Sequence, residues 1–179
     1  MNVAMRAFLD SILIQNPVVM TFVGALLAVV VPRSARSSLR PALRFSVALF
    51  FAGLVGATLT TMVPIVAAPM VFLAVGLATT ALLLALGELR DTWMGMPQAI
   101  LGVAPLIGVQ ILVGTYGEPA AMVAASGGNA VGFAIMFVLI GAIRESSRIS
   151  ESSDTFKTNP VVLFSMAVFA LALTGFLFW

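Results

Sequence analysis

Long stretches without a single ionisable side chain govern what this chain can fold into. No Asp, Glu, Lys or Arg occurs from Ser11 to Pro32, from Phe45 to Gly87, from Thr92 to Gly117, from Pro119 to Ile143, or from Thr158 to Trp179. A helix needs about 20 apolar residues to cross the hydrocarbon of a bilayer. Four of these stretches fit one crossing each and the longest fits two. Charged residues make up 9% of the chain, against about 25% in soluble domains, which is too few for a water-facing surface. The runs are apolar all round rather than alternating, so they read as helices and not as the strands of a membrane barrel.

Six spans are predicted, at about 7–31, 42–63, 65–87, 98–117, 120–143 and 160–179, forming one membrane domain over 1–179. Pro64 divides the longest run, and Glu118-Pro119 separates the fourth span from the fifth. Residues 1–10 lack a basic stretch leading to a small-residue cleavage site, so the first span is expected to stay in the membrane. The net charge of +2 reflects basic loops and does not point to nucleic acid. Arg33, Arg36, Arg40 and Arg44 fall in the first loop, Arg90 in the third, and Arg144, Arg148 and Lys157 in the fifth. With six spans these loops share one side and hold every basic residue except Arg6. The positive-inside rule then places them in the cytoplasm of a bacterial inner membrane, with both termini periplasmic.

The chain has no Cys and no His. It can offer neither thiolate nor imidazole, so the usual metal and iron–sulfur ligands are missing from it. The chemistry left to it lies in polar groups at membrane depth, which are functional candidates by default. Span one contains Gln15-Asn16-Pro17, and proline removes an N–H and disfavours helix at the residue before it. Span four contains Pro105, Gly108 and Gln110. Interrupted helices at matching places in two halves, here about 1–90 and 91–179, point to an inverted repeat with a central site. Asn16, Gln110, Glu118 at the end of span four, and Asn129 within Ser126-Gly127-Gly128-Asn129 are the candidate polar or ion-path residues. Two ordinary kinked helices, with Glu118 in water, would explain the same residues. Gly128 and Gly132, and the ridge Ala48, Ala52 and Gly56, read as helix-packing surfaces.

Three segments carry a resemblance to a known family. They are Ser11 to Val19 continuing through Gly24 to Val29, Pro105-Leu106-Ile107 leading to Glu118, and Gly132-Phe133 through Gly141 to Glu145. Together they resemble the small six-helix membrane subunits of the Rnf complex and of the sodium-translocating NADH:quinone reductase (Nqr), of the RnfA/RnfE and NqrD/NqrE type. The resemblance implies an all-α integral membrane fold: two inverted three-helix repeats, with helices 1 and 4 broken. It also implies partners, namely a homologous membrane subunit and the redox subunits of one complex. Family members place a cysteine in each broken helix to share an iron–sulfur cluster. Leu26 and Ile111 stand at those positions here, so no cofactor is expected in this chain, and any iron–sulfur or flavin group would sit on partner subunits.

The expected role is that of a non-catalytic membrane subunit in a redox-driven, ion-translocating electron-transfer complex, as scaffold or part of the ion path. The loops are too short for a nucleotide-binding domain. The alternative is an independent small membrane transporter or channel, with Asn16, Gln110 and Glu118 forming its substrate site.

Overall fold

The computed structural model describes residues 2–31, 34–88, 90–93, 95–149 and 159–175. These residues form the helices α1 (Val3–Leu13), α2 (Ala25–Val30), α3 (Ala35–Thr60), α4 (Ala68–Ala85), α5 (Val103–Gly114), α6 (Pro119–Ile149) and α7 (Asn159–Thr174). Single 3-10 stretches at Ile65–Ala67 and Gln98–Gly102 lead into α4 and α5. A two-residue hairpin, β1 (Thr92–Trp93) on β2 (Met96–Pro97), is a small exception to the all-helical expectation. Three helices are long and apolar enough to cross a membrane: α3, α4 with its 3-10 lead, and α6. Gln98–Gly114 and α7 are shorter apolar segments. The protein is thus a helical membrane protein, and only 11% of the most apolar window of Ile65–Ala85 is buried within it.

The first segment is broken where the sequence predicts. α1 stops at Leu13, and regular helix resumes only at Ala25. Between them the chain turns tightly: Gly24 N–H donates to the Pro17 carbonyl at 2.7 Å, and Phe22 takes a left-handed φ of 56°. A non-glycine residue in that region costs about 1–2 kcal/mol, so the surrounding packing holds the break in place.

The fourth segment differs from expectation. α5 runs unbroken through Pro105 and Gly108. Pro105 is the third residue of the helix, in the first turn, where a missing N–H deprives no intrahelical partner. The irregularity of this segment lies earlier, in the 3-10 stretch before Val103.

Helix ends also shift for local reasons. α3 begins well before residue 42 because Ser34 and Ser37 form a reciprocal capping box, with Ser37 N–H donating to Ser34 Oγ at 3.2 Å and Ser34 N–H to Ser37 Oγ at 3.1 Å. Arg36, Arg40 and Arg44 therefore lie on helix α3 rather than in a loop. Pro119 opens α6, as proline favours at a first helical position. That helix continues past residue 143, where the Arg144 guanidinium donates to the Val29 carbonyl and Glu145 Oε2 accepts from Ala35 N–H at 3.0 Å. Arg33 and Lys157 lie outside the described residues, as does the last stretch of the sixth predicted span, 176–179.

α6 is the axis of the bundle. Its Gly128 and Gly132 receive α1: a Cβ at Gly132 would meet Asn16 Nδ2 at 2.9 Å and the Ile12 carbonyl oxygen at 3.1 Å, and one at Gly128 would strike the Phe8 carbonyl. Another face packs on α3 through Phe45 and Phe133, with ring centroids 5.0 Å apart, and Phe133 and Phe137, 5.3 Å apart. α5 lies against α3 at Gly53, where a Cβ would meet Val109 at 2.8 Å. The paired residues show that the first segment and α6 run parallel, while α3 runs antiparallel to α6.

Gly132→Val should lower stability by about 1–3 kcal/mol, the range for overpacking, because its neighbours there include fixed backbone. Gly114→Ala, which meets nothing within 4 Å, should not. Thermal unfolding of the two variants in detergent checks the contrast.

Candidate functional site

Membrane interiors offer no water to an unmatched polar group, so each buried one has to be accounted for. Asn16, Gln110 and Asn129 are all fully buried, at 0% exposure. Glu118 is exposed in the turn before α6, where its carbonyl accepts from Met122 N–H at 2.9 Å. The fourth candidate therefore sits apart from the other three.

Asn16 is held by the break. Its Oδ1 accepts from Val18 N–H at 3.0 Å and Val19 N–H at 3.2 Å, and its Nδ2 donates to the Ile12 carbonyl at 3.0 Å. The side chain thus supplies the partners that the interrupted helix cannot, and it rests against Gly132 of α6.

Gln110 occupies the other side of the bundle. Its Nε2 donates to the Phe72 carbonyl of α4 at 3.1 Å and to Leu106 of its own helix at 2.9 Å. Its Oε1 has no partner among the described residues and lies against Gly56 of α3, where a Cβ would displace the Gln110 side chain. Asn129 is similar: Nδ2 donates to the Ala125 carbonyl at 3.0 Å, while Oδ1 is buried and unpartnered.

Sequence reasoning did not single out the serines. Ser11, Ser46 and Ser126 also carry buried hydroxyl oxygens without a partner. Ser126 faces α3, since a Cβ at Gly53 would lie 3.0 Å from its Oγ. Helical spacing puts Asn129 on α6 between the glycines that face α1 and Ser126 facing α3. The buried acceptors therefore follow the seams from α1 across α6 to α3 and α5. Ser126 stood within the Gly-rich patch noted in the sequence; Ser11 and Ser46 lie in ordinary apolar runs and gave no signal.

Leu26 and Ile111, the positions that the sequence resemblance singled out, face outward, each 50% exposed. Val23 packs on Gly108, where a Cβ would be 2.6 Å from Val23 Cγ1, and Leu26 and Ile111 each lie three residues further along. Among the described residues no group of His, Cys, Asp or Glu could hold a metal.

The sequence matches no family model, and no curated protein matches it.

Asn16→Leu strands the buried N–H groups of Val18 and Val19, at about 1–3 kcal/mol each. Gln110→Met removes an unpartnered oxygen, keeps the side-chain length, and gives up donations to the Phe72 and Leu106 carbonyls, which lie within helices and keep their i+4 N–H donors. In thermal unfolding Asn16→Leu should be much less stable than the parent protein and Gln110→Met close to it.

Proposed function

We propose that this chain is a membrane subunit of an Rnf/Nqr-like, redox-driven, ion-translocating electron-transfer complex. It acts as a scaffold and as part of the ion path and provides no iron–sulfur ligand. The observation that carries the reading is a matched pair of contacts between α3 and α6, Gly53 on Ser126 and Gly141 on Ser38, with a buried amide in the first segment of each half. Asn16 of the first segment rests on Gly132 of α6, and Gln110 of the fourth rests on Gly56 of α3. Exchanging the halves 1–90 and 91–179 turns the Gly53–Ser126 contact into the Gly141–Ser38 contact, and the two amides correspond segment to segment. The same exchange relates α1 on α6 to α5 on α3, and it returns the α3–α6 contact to itself. This pattern supports two inverted three-helix repeats and six crossings.

The unpartnered atoms at the centre are all oxygens: Gln110 Oε1, Asn129 Oδ1 and serine hydroxyls. Neutral oxygens suit a small hard cation or a hydrated proton and offer little to an anion. The basic residues support the orientation: Arg44 pairs with Glu88, and Arg144 reaches Val29, so these ends of α2, α3, α4 and α6 lie together. In this reading that end is cytoplasmic, the membrane is a bacterial inner membrane, and both termini are periplasmic. A homologous membrane subunit would dock over Leu26 and Ile111, and iron–sulfur or flavin groups would belong to partners.

The buried acceptors would equally serve a small transporter working alone. Purification from native membranes in mild detergent, followed by reconstitution, separates the two. Co-purification with flavin- or iron–sulfur-bearing subunits is expected, and a stable homo-oligomer that moves cations by itself would favour the transporter. In the intact assembly Gln110→Met should keep the fold and cut ion translocation at least tenfold. Undiminished translocation would remove Gln110 from the path.

A further inference from the structure

α3 and α4 part along much of their length and leave an open groove of about 850 Å³ between them. Its walls are apolar, with Val47, Phe51 and Val55 on α3 and Val75, Ala78 and Leu82 on α4. One end is different. Arg44 and Glu88 line it and form an ion pair with each other. Residues four apart stack on one helix face, so Arg36, Arg40 and Arg44 make a ladder on α3 that runs into the groove beside Val47 and Phe51. Arg36 and Arg40 are exposed and have no partner among the described residues.

Two described acids at this end are already engaged. Glu88 is held by Arg44, and Glu145 accepts the N–H of Ala35 at the start of α3. Arg90, on the same end, spends its Nε on the Leu84 carbonyl at 3.3 Å. Arg40 and Arg36 lie one and two helical turns beyond the groove's Arg44 end and have no counter-charge among the described residues.

We propose that this groove is a binding site for an anionic phospholipid, with its acyl chains between α3 and α4 and its phosphate on Arg36 and Arg40. The ladder has the properties such a head group needs. Guanidinium groups bind phosphate oxygens in bidentate fashion, and basic pockets between membrane helices recognise acidic head groups. Arg44 shapes the neck of the site, and its pairing with Glu88 fixes the depth at which charge gives way to hydrocarbon. A protein helix would fill the apolar walls equally well but would leave the two unpaired arginines unexplained. The site requires only that the chain be in a membrane, and it stands or falls independently of the ion path.

Native mass spectrometry of the full chain, titrated with phosphatidylglycerol or phosphatidylcholine, tests the proposal. Phosphatidylglycerol should bind at least tenfold more tightly. Each basic residue near a membrane surface contributes about 1 kcal/mol, so Arg36→Gln with Arg40→Gln should weaken phosphatidylglycerol roughly thirtyfold and weaken phosphatidylcholine, whose choline offsets the charge of its phosphate, far less. The thermal midpoint should hold, since neither arginine makes a bond to another of the described residues. Ala48→Phe, which fills the groove, should weaken both lipids. Equal affinity for the two lipids, or a double variant that still prefers phosphatidylglycerol, overturns the proposal. So does a photo-crosslinker at Phe51 that captures a polypeptide in native membranes where a lipid adduct is expected.

Discussion

A helix that stops inside a bilayer leaves backbone groups that no water can satisfy, and the rest of this bundle is arranged around one such stop. Asn16 resolves it with its own amide, taking two N–H groups beyond the break and returning one donor to the turn before it. That solution works only if the side chain is shielded from lipid. Shielding comes from α6, whose Gly128 and Gly132 let the α1 backbone approach to a distance that any side chain would prevent. In membranes, where apolar helix faces gain little by leaving lipid, close backbone approach is what holds helices together. The broken segment and the glycine face of α6 therefore depend on each other.

Much of this could be read from residue order. Charge-free runs located the helices, Pro64 and Pro119 marked their boundaries, and Asn16-Pro17 marked the break. What could not be read was the outcome of proline and capping chemistry near helix ends. Pro17 and Pro105 look alike in sequence, yet Pro105 falls in a first turn, where its missing N–H is harmless. The difference depends on where α5 begins, and the 3-10 stretch Gln98–Gly102 decides that. The arginines that looked like a loop became the first turns of α3 because Ser34 and Ser37 nucleate helix ahead of them. Glu118 stood out as a charge beside a span, but its place in a turn keeps it at the surface.

Sorting of charge follows from the same helix boundaries. With Arg36, Arg40 and Arg44 on α3, basic side chains line the end of the helix itself, and one of them reaches across to the end of α4. Glu145 and Arg144 tie the end of α6 to the start of α3 and the end of α2. Ion pairs and charged hydrogen bonds are therefore confined to the polar border. The interior is left to neutral amides and hydroxyls, which are far less costly to bury than charges.

The buried amides divide on that account into two kinds. Asn16 has its oxygen and one donor fully used by backbone within its own segment, so its burial is explained by the fold. Gln110 and Asn129 use only their nitrogens, and each leaves an oxygen without a partner in the protein among the described residues. Leaving such an acceptor unmatched costs about 1–3 kcal/mol, and a purely structural site would be served as well by an apolar residue. Gly56 adds to the argument, since the space its missing Cβ leaves is occupied by the Gln110 oxygen. Gln110 also ties α5 to α4 through its donation to the Phe72 carbonyl, so its oxygen alone is left for the proposed path. In the proposed reading Gln110 and Asn129 would line the path, while Asn16 belongs to the architecture that holds the first segment.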